Sequence, residues 1–564
     1  MGSRMNSINK RTRRDGAFSQ GMDASFLQLC LWIPLVGLAL FFIAPMLAIG
    51  WRSLLQDTTQ TFGWGNYAAL IRTGSLWQAT ANSLLLGLCV TASCALLGFI
   101  AAYALERSAM PGKRWAAAAL NLPLMAPSLV LSLGLLFLLG RNGLVGSWLG
   151  IRPDLYGFWG LLIANTLYGL PFAILIMRSA LRHGDARLYE AAQTLGANGW
   201  QQFRDVTWPQ VRYGVLSAIF VVFTMTITDF GNAAVIGGNY NVLASEIYNQ
   251  VSGQMRFGMG AVVGIALLFP AVLSVLIERF ARNRQGCGAE SAQLPPLVPN
   301  LPRDTILGAI TWACALFMLA VIVVVVVASF MKLWPYRMEP TLANYNVNMS
   351  NAWAPLWTSL NVSLLTALCG SMLVLVLVIA LRHAHGRLAK VASVVSTMPV
   401  AVPGLVLGLG YVFVFNAPNT PLVALYGSLV ILIACNFYHY HAQAFLMMNA
   451  AARQIPYALE DSVASLGGGV VHALRDVYIP WLRVTLASVA VFLFMMSMVT
   501  LSAIIFLVTP ANMLAAVTVM RLDEAGFTTQ AAAYSSCIMG IVGLCTVLMR
   551  WLQNQRTTAP HTAP

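Results

Sequence analysis

The sequence predicts an all-α, polytopic membrane protein of about twelve transmembrane helices, divided six and six. Three observations predict it. The 564 residues are 58% hydrophobic and 9% charged, where a soluble domain is about 25% charged. The apolar residues fall in runs of roughly twenty, the length that crosses a hydrocarbon core of about 30 Å. Finally, a polar loop of the first half returns in the second at a constant offset, Glu190 to Asp461 and Pro209 to Pro480.

In chain order, apolar runs place spans near 29–51, 81–105, 116–140, 157–177, 213–236 and 258–277, then near 306–331, 357–381, 391–415, 424–448, 484–508 and 532–549. The runs are continuously apolar, whereas barrel strands would alternate over about ten residues, so the spans are helices. Arg11, Arg13 and Arg14 precede the first span, which is too long for a signal-peptide core. The N-terminus is therefore expected in the cytoplasm. That orientation puts about 25 of the 33 Lys and Arg on the cytoplasmic side, as the positive-inside rule requires. Topology thus accounts for the net charge of +14, and no nucleic-acid partner is called for. Nine cysteines without a CxxC pair read as reduced packing residues.

The stretch 279–304, with Arg282, Arg284, Gly286, Gly288, Pro295, Pro296, Pro299 and Pro302, has the composition of a linker. The expected organisation is a cytoplasmic tail over 1–28, a first transmembrane domain over 29–278, the cytoplasmic linker 279–304, a second domain over 305–552 and a cytoplasmic tail over 553–564. The halves correspond in several places, as an internal duplication predicts. Leu76-Trp77 matches Leu356-Trp357, with Cys89 and Cys369 twelve residues after each Trp, and Asn66-Tyr67 resembles Asn344-Tyr345. Pro123 and Pro127 in the third span match Pro399 and Pro403 in the ninth. A Pro pair loosens backbone hydrogen bonding inside the membrane, and interrupted helices in both halves point to a translocation path.

Between spans four and five lies Glu190-Ala191-Ala192-Gln193-Thr194-Leu195-Gly196, followed by Val206-Thr207-Trp208-Pro209. Between spans ten and eleven lies Asp461-Ser462-Val463-Ala464-Ser465-Leu466-Gly467, followed by Val477-Tyr478-Ile479-Pro480. The same offset superposes Arg204-Asp205 on Arg475-Asp476. The acidic residue is expected in a short helix with small side chains that admit close approach by another protein, and Gly ends that helix in a tight or left-handed turn. A second amphipathic stretch is expected to run to the Pro, which breaks it before the next span.

These loops resemble the EAA loop of ABC importer permeases, the binding-protein-dependent inner-membrane component (MetI-like) family: acidic-Ala-Ala, three residues, Gly, nine residues, apolar, one residue, apolar, Pro. The first loop fits at every anchor; the second keeps Gly467, Val477, Ile479 and Pro480 but has Asp461 for Glu and Ser462-Val463 for Ala-Ala. The resemblance implies two fused six-helix MetI-like permease domains in a bacterial inner membrane. It also implies that each loop docks in an ATP-binding subunit, a homodimer that binds ATP and Mg. Glu190, Ala191, Ala192, Gly196 and Pro209, with Asp461, Ser462, Gly467 and Pro480, would form those couplings. A periplasmic or extracellular solute-binding protein would select the solute, and alternating access would carry it across the bilayer. The stretch 228–264 resembles fused permeases for ferric iron, thiamine and phosphonates, most closely those assigned to 2-aminoethylphosphonate.

A Walker A loop needs Gly-Lys-Ser/Thr, and among four lysines the only Gly-Lys is Gly112-Lys113, followed by Arg114. The ATPase is therefore expected on another polypeptide, and no catalytic residues, metal site or cofactor are expected in this chain. Asp229, towards the outer end of the fifth span, is an ionisable group at membrane depth and a candidate for the path. Its counterpart is Thr500, so its role would be asymmetric. His439 and His441 sit at i and i+2, on different helix faces; they are expected to be hydrogen-bonded bundle residues, and Met495, Met496 and Met498 packing residues. A gradient-driven secondary transporter, the main rival, predicts charges in several central spans, and these spans are almost charge-free.

Overall fold

A chain that crosses lipid must satisfy its backbone polar groups within each span, and the computed structural model does so with helices almost throughout. The structure describes residues 22–57, 61–150, 153–182, 185–284, 300–346, 353–384, 386–418 and 420–557. Arg11, Arg13, Arg14, Cys287 and the linker core 285–299 lie outside the described residues, as do 1–21 of the N-terminal tail and 558–564 of the C-terminal one.

The first half comprises α1 (Met22–Leu38), running through a π turn into α2 (Ala44–Leu54), then α3 (Gly65–Thr73), α4 (Ser75–Arg107), α5 (Lys113–Asn121), α6 (Ser128–Leu139), α7 (Leu144–Leu149) and α8 (Phe158–Arg182). The loop helices α9 (Ala186–Thr194) and α10 (Gly199–Gln202) follow, then α11 (Trp208–Thr228), α12 (Gly231–Ile236), α13 (Leu243–Tyr248) and α14 (Phe257–Arg284). The second half repeats this order. It has α15 (Leu301–Ser329), a small hairpin of β1 (Met331–Leu333) and β2 (Arg337–Pro340), α16 (Ala354–His383), α17 (Gly386–Thr397), α18 (Gly404–Phe415) and α19 (Leu429–Ala452). Its loop helices are α20 (Tyr457–Ser465) and α21 (Val470–Ala473), and it closes with α22 (Ile479–Val499), α23 (Ala515–Glu524) and α24 (Thr528–Thr557).

Among the described residues eleven helices are long and apolar enough to cross a membrane, and a bent pair brings the count up to twelve. Helix extends further than the composition of the polar segments suggests. α1 begins inside the expected tail 1–28, α14 and α15 enter both ends of the expected linker 279–304, and α24 enters the expected tail 553–564. The fifth and eleventh spans, expected over 213–236 and 484–508, instead stop at Thr228 and Val499. After Val499 the apolar run forms turns, with Leu501, Ala503, Ile504 and Leu507 buried. A buried turn and a span look alike in composition, and only a cap or a break distinguishes them.

The two halves exchange their first helices. α1 and α2 pack on α16 and α18 of the second half, while α15 packs on α4 and α6 of the first. Glycine permits the closest approach at each exchange. A Cβ at Gly410 would lie 2.8 Å from the Pro45 carbonyl oxygen, and one at Gly134 would lie 2.5 Å from that of Val321. Both pairs are related by one offset, 321 − 45 = 410 − 134 = 276, so the duplication holds in three dimensions.

The same offset relates Ser83, which accepts from the Leu243 amide at 2.7 Å, to Ser359, which accepts from the Ala515 amide at 2.7 Å. This register pairs Trp77 with Trp353. The Leu76-Trp77/Leu356-Trp357 match, at an offset of 280, is therefore four residues out, about one helical turn, and the Cys89/Cys369 match falls with it.

Asn66-Tyr67 and Asn344-Tyr345, by contrast, are true counterparts. Asn66 Nδ2 donates to the carbonyls of Ser53 and Leu55, and Tyr67 bonds Ser53 Oγ. Asn344 Nδ2 donates to the carbonyls of Ser329 and Met331, and Tyr345 bonds Ser329 Oγ. Each Asn satisfies carbonyls left open at the end of the exchanged helix. Replacing Asn66 or Asn344 with Ala is expected to cost about 1–3 kcal/mol, the penalty for stranding buried polar groups. A lowered thermal midpoint of the detergent-solubilised protein would report it.

Candidate functional site

Helix α9 starts at Asp185, whose carboxylate accepts from the Arg187 amide at 3.0 Å. It stops because Gly196 adopts φ +75°, a conformation that costs other L-residues about 1–2 kcal/mol. The Gly196 amide bonds the Gln193 carbonyl and the Ala197 amide the Ala192 carbonyl, both at 2.9 Å, a Schellman stop. In the second loop Gly467 has φ +77°. Its amide bonds the Ala464 carbonyl at 3.0 Å, and that of Gly468 bonds the Val463 carbonyl at 2.9 Å. The two knobs are the same structure at an offset of 271, and the departures at Asp461 and Ser462 leave the backbone unchanged.

Their outer faces are open. Glu190, Ala191, Asp461 and Ser462 are exposed, and Ala192 is half-buried with its carbonyl engaged in the stop. Leu195 and Leu466, each just before the Gly, are 86% and 89% exposed. Sequence reading passed over this leucine pair because a lone Leu in a polar loop carries no signal. Placed at the tip of two matching knobs, the leucines are apolar side chains without a cover among the described residues.

Pro209 and Pro480 do not break the helix as expected. The turns before them, Phe203–Thr207 and Leu474–Tyr478, are π-helical, and the Trp208 and Ile479 amides reach back five residues to the Phe203 and Leu474 carbonyls. A Pro ring clashes with the carbonyl four residues earlier, and the wider turn makes room for it. Each knob therefore continues into its span as one helix, over Gly199–Thr228 and Val470–Val499. The knobs are tied down differently: Tyr189 bonds Thr207 across the first at 2.9 Å, whereas in the second Glu460 bonds Arg382 at 2.6 Å and Asp23 accepts from the Val470 amide at 3.1 Å.

The Pro pairs interrupt the third and ninth spans in the same way. Pro123 and Pro399 lie in short 3-10 turns, and Pro127 and Pro403 cap α6 and α18 with extended backbone. In the second half the two limbs meet at 111°. At the breaks the halves use a Ser and a Gly in opposite senses. A Cβ at Gly231 would lie 2.3 Å from Ser128 Oγ, and one at Gly404 would lie 2.4 Å from Ser502 Oγ. Asp229 belongs to this contact. Its carboxylate accepts from the Asn232 amide at 2.9 Å and from the Ser128 hydroxyl, capping α12. Asn232 also bonds Ser132 and Asn165. The candidate path residues Pro123, Pro127, Pro399, Pro403 and Asp229 thus occupy the helix breaks, and the Asp229 carboxylate is committed to holding one. The Asp229→Asn variant retains an acceptor and is expected to keep import near wild type. Asp229→Ala is expected to lose about 0.5–2 kcal/mol of stability, the usual cost of a lost cap, which a thermal melt resolves.

Residues 94–285 match the family model described as binding-protein-dependent transport system inner membrane component. Over those residues the chain is similar to the permease components of that family. Over 541 residues it is 27% identical to the ferric transport system permease protein FbpB of Actinobacillus pleuropneumoniae, covering 91% of this chain and 76% of the relative. It is 26% identical over 408 residues to the thiamine transport system permease protein ThiP of Brucella abortus (strain 2308), covering 69% and 71%. The spermidine/putrescine transport system permease protein PotC of Escherichia coli (strain K12) is 28% identical over 271 residues, 96% of its own length but 48% of this chain. A crystal structure of a bacterial alginate ABC transporter, in complex with alginate pentasaccharide-bound periplasmic protein, aligns over 45% of this chain and 93% of its own with 19% identity and a TM-score of 0.38.

By the family model and the permease relatives, the chain is a multi-pass permease component of a binding-protein-dependent ABC importer. One expectation for the tenth span is modified. His441 is not the hydrogen-bonded residue that was expected, since both its ring nitrogens are buried without a partner, and His439 Nδ1 is likewise buried and unpaired. His441 instead packs between the Phe437 and Phe445 rings, at centroid distances of 5.2 and 6.1 Å. In the next span Met495 Sδ accepts from Thr546 and Met498 is buried, as packing residues would be.

Proposed function

We propose that this permease carries a small binding-protein-delivered solute inward by alternating access, driven by a separate ATP-binding homodimer that seats on the two knobs. The observation that carries the reading is the pair of superposable, outward-facing knobs, each ending in an exposed Leu and Gly and each rigidly continuous with a span. ATP and Mg would reside in the partner, whose closure draws the knobs together and tilts α11 and α22. Reset follows hydrolysis.

For the solute, the resemblance of 228–264 favours 2-aminoethylphosphonate, while the relatives are named for ferric iron, thiamine and spermidine/putrescine. At the end of the bundle opposite the knobs, a cavity of about 480 Å³ is lined by Glu246, Asn249, Gln250 and Arg256. Glu246 and Gln250 are buried, and Gln250 Oε1 has no partner. A carboxylate and a guanidinium lining one cavity suit a zwitterion with an amine and a phosphonate. The test is uptake of labelled 2-aminoethylphosphonate by cells bearing the complete importer, with unlabelled thiamine, ferric citrate and spermidine as competitors. The expected result is uptake displaced only by unlabelled 2-aminoethylphosphonate and reduced about tenfold or more in Glu246→Gln plus Arg256→Gln. Uptake of one of the competitors in its place reassigns the solute and leaves the importer class standing.

A further inference from the structure

On the membrane face that carries the knobs, α16, α17 and α19 enclose a cavity of about 620 Å³. Arg382, Lys390 and Arg453 line it together with Val378, Leu381 and Phe445. The wall formed by α17 turns apolar residues outward: Leu388, Val391 and Val394 are 44%, 58% and 57% exposed. In a spanning chain those side chains meet acyl tails, and Val394 also lines the cavity. The cavity therefore opens sideways, at headgroup depth, into the bilayer.

Comparison of the halves shows why the cavity is cationic. The counterparts of Arg382, Asn449 and Arg453 are Glu106, Arg178 and Arg182, at offsets of 276, 271 and 271. In the first half Glu106 neutralises both arginines, at 2.7 Å from Arg178 and 2.9 Å from Arg182. In the second half the carboxylate has become Arg382, which turns away to Glu460 and to the carbonyls of Ala452 and Ile455. Arg453 keeps its charge without the carboxylate that serves Arg182, and Lys390 adds a second. The place of an internal anion is left open beside an apolar wall.

We propose that this cavity binds the headgroup of an anionic phospholipid, its phosphate between Lys390 and Arg453 and its acyl chains along Val378, Leu381 and Val394. Free phosphate offers the same anion but makes no use of the apolar wall or of the lateral opening. The inference is independent of which solute the permease carries. Because Arg382 also holds the second knob through Glu460, the lipid sits one residue's breadth from the coupling machinery.

The test is native mass spectrometry of the purified chain in mild detergent with phosphatidylglycerol or phosphatidylcholine at equal concentration. Two cations at a headgroup predict a preference for phosphatidylglycerol of about tenfold or more. Lys390→Gln plus Arg453→Gln should abolish the preference, and Ser393→Trp, which fills the cavity and keeps both charges, should abolish retention; Lys390→Arg should keep both. Each variant is first required to elute as a single species. Equal retention of the two lipids, or unchanged retention in both the double variant and Ser393→Trp, overturns the site. Displacement of phosphatidylglycerol by millimolar inorganic phosphate overturns the lipid assignment in favour of a phosphate site.

Discussion

Replacing Gly196 and Gly467 together with Pro is expected to abolish import, at least about a hundredfold, and to release the ATP-binding partner, while the chain still inserts in the membrane. Both glycines sit at positive φ, and Pro is held near −65°, so neither knob can keep its turn. Pro also removes the amides that bond the Gln193 and Ala464 carbonyls. The cost is about 3 kcal/mol or more at each site, and Leu195 and Leu466 lose their place at the tips. Gly196→Ala alone pays about 1–2 kcal/mol and should give an intermediate loss. Uptake and affinity capture of the partner, measured on the same membranes, check the series. Wild-type uptake with intact partner capture in the double Pro variant would remove the knobs from the mechanism.

The second large effect concerns the root of the second knob. Arg382 and Glu460 are 7% and 4% exposed at the side chain and bond at 2.6 Å. Arg382 also donates to the Ala452 carbonyl at 2.7 Å and the Ile455 carbonyl at 2.6 Å. Removing one member of a buried pair strands the other's charge and costs about 3–5 kcal/mol. Arg382→Gln or Glu460→Gln is therefore expected to unfold the second knob and strongly lower the thermal midpoint. Glu106→Gln in the first half should be milder, because Glu106 and Arg178 are 13% and 18% exposed and Arg182 58%, against 4% and 7% in the second pair, so water takes over part of the lost contact. Thermal unfolding in detergent, with proteolysis near residue 467 as a local readout, distinguishes the two. Equal effects in the two halves would mean that the second pair is more solvated than its burial indicates.

The spans, the six-and-six division and both knobs were legible because each rests on a strong local pattern: an uninterrupted apolar run, or a motif repeated at one offset. The breaks were legible through Pro123, Pro127, Pro399 and Pro403, since Pro leaves a visible mark wherever it sits. The ends of the fifth and eleventh spans were not, because Leu501, Ala503, Ile504 and Leu507 are as buried in a turn as they would be in a helix. The exchange of first helices left no trace either: a helix face toward lipid and one toward another helix are equally apolar. Only Gly134 and Gly410 marked the contact, and two glycines among 45 do not stand out. The π turns before Pro209 and Pro480 are tertiary solutions to a steric clash that sequence shows only as a proline. The Trp77/Trp357 mismatch has a similar cause, since an offset of one helical turn preserves the face and so preserves the pattern.

The central claim is that the two knobs seat an ATP-hydrolysing partner. The most direct measurement is ATP hydrolysis by the complex captured on the tagged chain from its native membrane, for the wild type and for Leu195→Asp plus Leu466→Asp. Both leucines are almost fully exposed, so the substitutions leave the permease fold intact and burden only the docking face. The expected result is co-purified ATPase activity with the wild type, stimulated by the loaded binding protein, and none with the double variant. A solitary chain that imports its solute in ATP-depleted, energised vesicles, equally well in both forms, would contradict it.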